Sequence, residues 1–235
     1  MKDTVLHPAL TIFAGRFGSG KTEAALNYAL SLVSGPGNGT NAPMGQVILI
    51  DLDIVTPYFR SRETVEVMRP QGVQVIAPSI IGQHLDIPAI TPQILGAIQQ
   101  SERPVVLDVG GDQQGARAMG QFSPAIRQRG YTMHFVVNPY RPFTHTLEGL
   151  ASSIHEIEAS ARLQVASLVS NPNLIGETTI DSIVEGHARI EGFARALGLP
   201  IAFVCVERRW TKALAAVHLL QPIQVLDRHF VMSWE

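Results

Sequence analysis

Residues 11–30 read TIFAGRFGSGKTEAALNYAL, and this stretch changes character twice. It begins as an apolar β-type run and turns through Gly15, Gly18 and Gly20. It then continues as a helix whose Ala24, Ala25, Tyr28, Ala29 and, just beyond, Leu32 share one face. Gly15, Gly20, Lys21 and Thr22 fit the spacing G-x-x-x-x-G-K-[ST]. Glycines at 15, 18 and 20 let successive backbone N–H groups converge on an anion without Cβ clashes, and the helix start adds its positive end. Phe17, Ser19 and Glu23 complete the candidate cradle. The ligand chemistry called for is a nucleoside triphosphate: Lys21 reaches the β- and γ-phosphates, and the Thr22 hydroxyl ligates Mg²⁺. The alternative is a glycine-rich turn that happens to contain GKT, since the short pattern has false positives.

Outward from this loop, apolar runs recur at QVILID, VQVIA, PVVLD, TMHFVVN, VASLVSN and IAFVCV, and most are continuous instead of alternating. Strands covered on both faces read this way. Helical periodicity lies between them, clearest over 178–198 and again over 143–162, with Pro142 as the expected first helical residue of the latter. The expected fold is α/β: a doubly wound, mainly parallel sheet of about seven strands with helices on both faces, forming one domain over 1–235. Residues 34–45 and 78–90 break the rhythm, the first as a spacer by composition, the second as a lid, a partner surface or a plain crossover.

Composition narrows the partners. The 235 residues carry 18 basic and 20 acidic side chains, a net charge of -2, which gives no global drive toward nucleic acid or anionic lipid. Cys205 stands alone in IAFVCV and reads as a buried apolar residue. No run of about 18 apolar residues suggests a membrane span, and MKDTVLHPAL lacks a leader's apolar core, so a cytoplasmic location is expected. The histidines, among them His84, His145, His155, His187 and His218, show no metal-ligand clustering.

Phosphate chemistry also needs carboxylates near Mg²⁺, and RPVVLDVGGD places Asp108 at a strand end, with Gly111 forming D-x-x-G. Such a glycine offers its N–H to the γ-phosphate and so registers its loss. In VILIDLDIVTPYFRSRE, Asp51 and Asp53 close another strand. Asp51 is expected beside the Mg²⁺ waters and Asp53 as the residue that positions the attacking water; helix capping by strand-end acids is the alternative.

The glycine loop, the Asp-x-Asp strand end and Asp108 together resemble the MinD/ParA branch of the SIMIBI class of P-loop ATPases. DLDIVTPYFRSRE, VVNPYRPFTHT and SNPNLIGETT further resemble a bacterial group of short ParA-like proteins loosely termed cobyrinic acid a,c-diamide synthase-like. The likeness implies ATP and Mg²⁺ as ligands and an ATP-dependent face-to-face homodimer that signals to an unidentified protein partner. It also implies adenine recognition by an Asn at a late strand end, here Asn171, for which an Asn–Pro turn is the competing reading. The branch carries a lysine after its first glycine that reaches the partner's nucleotide; here Arg16 stands there, followed by Phe17 instead of glycine. A guanidinium can make the same contact, and an ordinary solvent-facing role is the alternative. No N-K-x-D guanine pattern occurs, so ATP is expected over GTP.

Three function classes follow. The first is a slow dimerising switch ATPase, with Lys21, Asp53 and Arg16 carrying turnover. The second is an ATP-dependent carboxylate ligase or amidase resembling dethiobiotin or cobyrinate synthetases, although the chain has no room for the latter's amidotransferase domain. The third is a membrane- or chromosome-positioning module. QPIQVLDRHFVMSWE, with Pro222, reads as a strand instead of a basic amphipathic helix, and Arg208, Arg209 and Lys212 make a small basic cluster.

Overall fold

In the computed structural model the described residues are 10–34, 47–52, 68–77, 92–100, 102–217 and 219–229. The expected spacer and long connection, at 34–45 and 78–90, fall outside them apart from Ser34, as do Asp53, His84 and His218.

The apolar runs become parallel strands: β1 (Leu10–Ala14), β2 (Val47–Leu52), β3 (Val73–Ile76), β4 (Val105–Val109), β5 (Thr132–Val137), β6 (Ser167–Ser170), β7 (Ile201–Glu207) and β8 (Ile223–Leu226). They form one eight-stranded sheet in the order β3-β2-β4-β1-β5-β6-β7-β8. β8 is the C-terminal stretch PIQVL, and it takes the sheet to one strand more than the seven apolar runs. Every residue of β1, β2 and β4 is buried, as expected of strands covered on both sides.

Alternation sorts the side chains. Leu10, Ile12 and Ala14 of β1, with Ile48, Ile50 and Leu52 of β2 and Val105, Leu107 and Val109 of β4, pack in one cluster. Five helices supply its outer wall: α2 (Pro92–Gln100), α3 (Gln113–Gln121), α4 (Ser123–Arg129), α5 (Leu147–Ala161) and α6 (Ile180–Leu197). Phe13, Val47, Leu49, Val106 and Val136 point to the opposite face, where α1 (Lys21–Ser34) covers them with Ala24, Ala25, Leu26, Tyr28 and Ala29. A short α7 (Thr211–Leu214) buries Leu214 beside β7.

The helix ends follow local chemistry. Thr179 caps α6 in a reciprocal box with Ser182, and Gly198 closes it at φ 68, one or two residues inside the expected 178–198 span. α5 corrects the expectation over 143–162: it begins at Leu147, and Pro142 is not its first residue. Thr146 caps it by accepting from the Gly149 N–H at 3.1 Å, while the Thr144 hydroxyl donates to the Asn138 carbonyl at 2.5 Å and fixes the preceding turns.

This order positions the site. From β1 the chain moves out to β2 and β3, returns to β4, then crosses to β5 on the other side of β1. Winding thus reverses at β1, and in open α/β sheets the crevice beyond such strand ends is where ligands bind.

Candidate nucleotide site

The β1–α1 connection is a tight loop. The Ser19 N–H donates to the Arg16 carbonyl at 3.1 Å, and Gly18 and Gly20 adopt φ of 76 and 82. A side chain at Gly15 would start 2.7 Å from the Val136 carbonyl, and one at Gly20 would start 2.2 Å from Asn171 Nδ2. Main chain is therefore the only thing that fits here. Lys21 and Thr22, the first residues of α1, are buried at 5% and 7% exposure. The Ser19 hydroxyl is buried at 1% and has no hydrogen-bond partner among the described residues. A buried orphan hydroxyl beside a cradle that a Cβ would fill, with a lysine opening the following helix, suits an oxyanion ligand.

The carboxylates arrive from neighbouring strands. Asp51 pairs in register with Asp108, and Asp108 with Phe13, so β2, β4 and β1 reach the same edge together. Asp51 shares its face with Val47 and Leu49, and Asp108 with Val106, whose side chains pack under α1. Both acids therefore lie on the α1 side of the sheet at its carboxyl end, 1% and 0% exposed. Gly111, after β4, abuts the loop: a Cβ there would sit 2.6 Å from the Phe17 nitrogen and 2.9 Å from the Arg16 carbonyl carbon. Lys21, Thr22, Asp51, Asp108 and Gly111 thus gather at one sheet edge, with residues fit to hold a triphosphate and its metal.

The other expected site residues have contacts of their own. Arg16 donates through Nε to Ser153 Oγ at 2.9 Å and through Nη2 to Glu156 Oε2 at 2.5 Å, both on α5, and its guanidinium lies over the Phe143 ring. Phe17 is 64% exposed at the loop tip. Glu23 Oε1 accepts from the His229 N–H at 2.9 Å and so ties the segment after β8 to α1. Asn171, 3% exposed, donates through Nδ2 to the Ser19 carbonyl at 2.7 Å, bracing the loop from the end of β6. Arg141, just before Pro142, also reaches the loop: its Nε donates to the Gly18 carbonyl at 3.2 Å.

Elsewhere, His187 bonds Ser170 Oγ and Gln221 Oε1, and His134 bonds Ser167 Oγ inside an aromatic group with Phe13, Tyr28 and Phe203. Burial lowers the His134 pKa to about 4 and pushes the Cys205 thiol up. No group of three or more His, Cys, Asp or Glu side chains able to hold a metal ion occurs among the described residues. In the small basic cluster, Arg208 forms a two-pronged pair with Asp227 and Arg209 pairs with Glu207. A concavity of about 760 Å³ at the β3 edge, lined by Gln74, Ile76, Gln93, Glu102 and Arg103, contains none of the loop residues. None of the described helices is long and apolar enough to cross a membrane.

A parallel sheet covered on both faces, with a glycine loop leading from its central strand into a helix, defines the fold of the P-loop nucleoside-triphosphate hydrolases. Solved structures share it. The cell division protein FtsY of Thermotoga maritima matches with a TM-score of 0.54 at 18% identity over 85% of this chain and 62% of its own. Chloroplast FtsY of Physcomitrella patens gives a TM-score of 0.51 at 19% identity over 84% and 58%. The signal recognition particle receptor FtsY of Elizabethkingia anophelis, in complex with GDP, gives 0.51 at 16% identity over 88% and 60%. At these identities the likeness is one of fold, and the chain spans about 60% of the length of the proteins it matches. It does not reach the MinD/ParA branch. No protein-family model matches the chain, and no curated protein matches it.

Proposed function

We propose that this chain is an Mg²⁺-dependent ATPase of the MinD/ParA-like kind, which hydrolyses slowly and uses its ATP- and ADP-bound states as a dimerising switch for a protein partner. The observation that carries the reading is the loop itself: three glycines that admit no Cβ without clash or backbone strain, leading into a buried Lys21 and Thr22, beside two strand-end carboxylates. In this reading the backbone N–H groups of 15–20 and the Lys21 ammonium hold the phosphates. Thr22, Asp51 and Asp108 provide the metal's oxygen ligands, directly or through water. Mg²⁺ supplies neutralisation of charge on the β- and γ-phosphate oxygens. Asp53 positions the attacking water, and Gly111, packed on the Phe17 nitrogen, carries the presence or loss of the γ-phosphate into α3.

The choice of ATP rests on the missing N-K-x-D pattern and on Asn171 at the end of β6, which keeps an amide hydrogen and its carbonyl oxygen beyond the bond to Ser19. Dimerisation rests on the resemblance and on Arg16. Its guanidinium is engaged by Ser153 and Glu156 within the chain, so service across a dimer requires exchanging Glu156 for the partner's phosphate.

The test is phosphate release from Mg·ATP and from Mg·GTP, with sedimentation of the Asp53→Ala protein under ATP. The reading expects slow ATP turnover and a dimer in the Asp53→Ala protein. Turnover of GTP alone removes the adenine assignment, monomer throughout removes the dimer, and ADP release that requires an added carboxylic acid favours the ligase class.

A further inference from the structure

The loop is met by two guanidinium groups, and they are held differently. Arg16 is bound on α5 by Ser153 and Glu156 and lies over Phe143. Arg141 comes from the β5–α5 connection, and the one hydrogen bond of its side chain among the described residues is Nε to the Gly18 carbonyl, at 3.2 Å. Neither Nη group has a protein partner among the described residues. The guanidinium lies directly over Gly18: a Cβ at that position would be 3.2 Å from Nε and 3.6 Å from Cζ. Gly18 therefore admits this arginine as well as the loop's own turn.

The segment that presents Arg141 is built rigidly. Asn138, 1% exposed at the end of β5, accepts at Oδ1 from the Tyr140 N–H at 3.1 Å and donates through Nδ2 to the Asn173 carbonyl at 2.7 Å. The Arg141 N–H and the fully buried Thr144 hydroxyl both donate to the Asn138 carbonyl. Tyr140 is held in turn, its hydroxyl donating to the Ser182 carbonyl at 2.5 Å. Five ties around Asn138 and Tyr140 exceed what a solvent-exposed arginine needs; they fix an unspent guanidinium fork against the phosphate loop.

We propose that Arg141 is a phosphate-contacting residue in cis: its Nη groups donate to the terminal phosphate of the bound nucleoside triphosphate, while Nε stays on Gly18. This rests on the nucleotide reading of the loop. It gives the single chain an arginine for the γ-phosphate without help from a second copy, leaving Arg16 to its α5 contacts. A planar fork anchored at one end suits phosphate oxygens, and a lysine in its place would not keep both bonds.

The test is calorimetric binding of Mg·AMP-PNP and Mg·ADP to wild type, Arg141→Ala and Arg141→Lys, with the guanine counterparts in parallel. For the base the wild type prefers, Arg141→Ala loses roughly 10- to 100-fold in triphosphate-analogue affinity. Its diphosphate affinity and melting temperature stay near wild type, and Arg141→Lys recovers only part of the loss. An unchanged ratio of triphosphate to diphosphate affinity in Arg141→Ala overturns the assignment. So does an equal fall in both affinities, which marks a purely structural tie to Gly18. Wild type that binds none of the four nucleotides overturns the nucleotide reading, and the assignment with it.

Discussion

Replacing Gly111 with alanine tests whether the β4 turn and the loop act as one body. Gly111 has no positive φ, so alanine adds no backbone strain, and the whole effect comes from one methyl group. That methyl would lie 2.6 Å from the Phe17 nitrogen, 2.9 Å from the Arg16 carbonyl carbon and 3.1 Å from the Gly15 oxygen. All three are main-chain atoms, so no side chain can swing aside. Ordinary contact requires the loop or the turn to retreat by roughly 0.8 Å, and a misplacement of about 1 Å beside reacting groups costs on the order of 100-fold in rate. Overpacking adds about 1–3 kcal/mol of destabilisation. Gly192→Ala on α6 is the control, since nothing lies within 4 Å of its added Cβ. It should gain about 0.5–1 kcal/mol from helix propensity and leave turnover unchanged. Steady-state phosphate release, ADP calorimetry and thermal melts read the pair. Wild-type turnover in a folded Gly111→Ala protein would refute the coupling.

Asp53→Ala should keep nucleotide affinity and slow turnover by about 10²–10⁴-fold, the range for a lost base or water-positioning group; calorimetry beside phosphate release separates the two effects. Thr179→Ala removes one half of the reciprocal cap on α6 and should cost about 1 kcal/mol, read as a melting-temperature drop of about 2–4 °C with no change in nucleotide binding. His134 is held neutral by burial, its folded pKa lowered to about 4 from an ordinary 6.5. The unfolded chain therefore binds more protons between those values, so stability conferred by the neutral ring is complete above pH 6.5 and is lost as pH falls toward 4. Denaturant melts should show up to about 3 kcal/mol of this loss in wild type and its absence in His134→Phe.

Much of the architecture was legible because it is local. Continuous apolar runs gave the strands, the glycine spacing gave the loop, and Thr179 with Gly198 marked α6. Asp51 and Asp108 were legible as strand-end acids, and the sheet order brings them side by side. What escaped is non-local. Arg141 meets Gly18 from 123 positions away, Asn171 meets Ser19 from 152, and Glu23 meets the His229 backbone from 206. No periodicity records such pairs. Arg16 belongs with these pairs: the resemblance implied a reach to a partner's nucleotide, and nothing near Arg16 in sequence pointed to its contacts within the chain, which lie on α5, 137 and 140 positions on. Pro142 misled for a different reason. It has the conformation of a helix start, yet the hydrogen bonds around Asn138 keep that segment in turns, and Thr146 starts the helix.

The account stands on the loop of 15–22 as an anion grip, and titrating Mg·ATP into wild type and Lys21→Ala in a calorimeter tests that most directly. Saturable one-site heat in wild type and none in a normally folded Lys21→Ala protein is the predicted result. No heat in wild type with any triphosphate, or equal binding by Lys21→Ala, would contradict it.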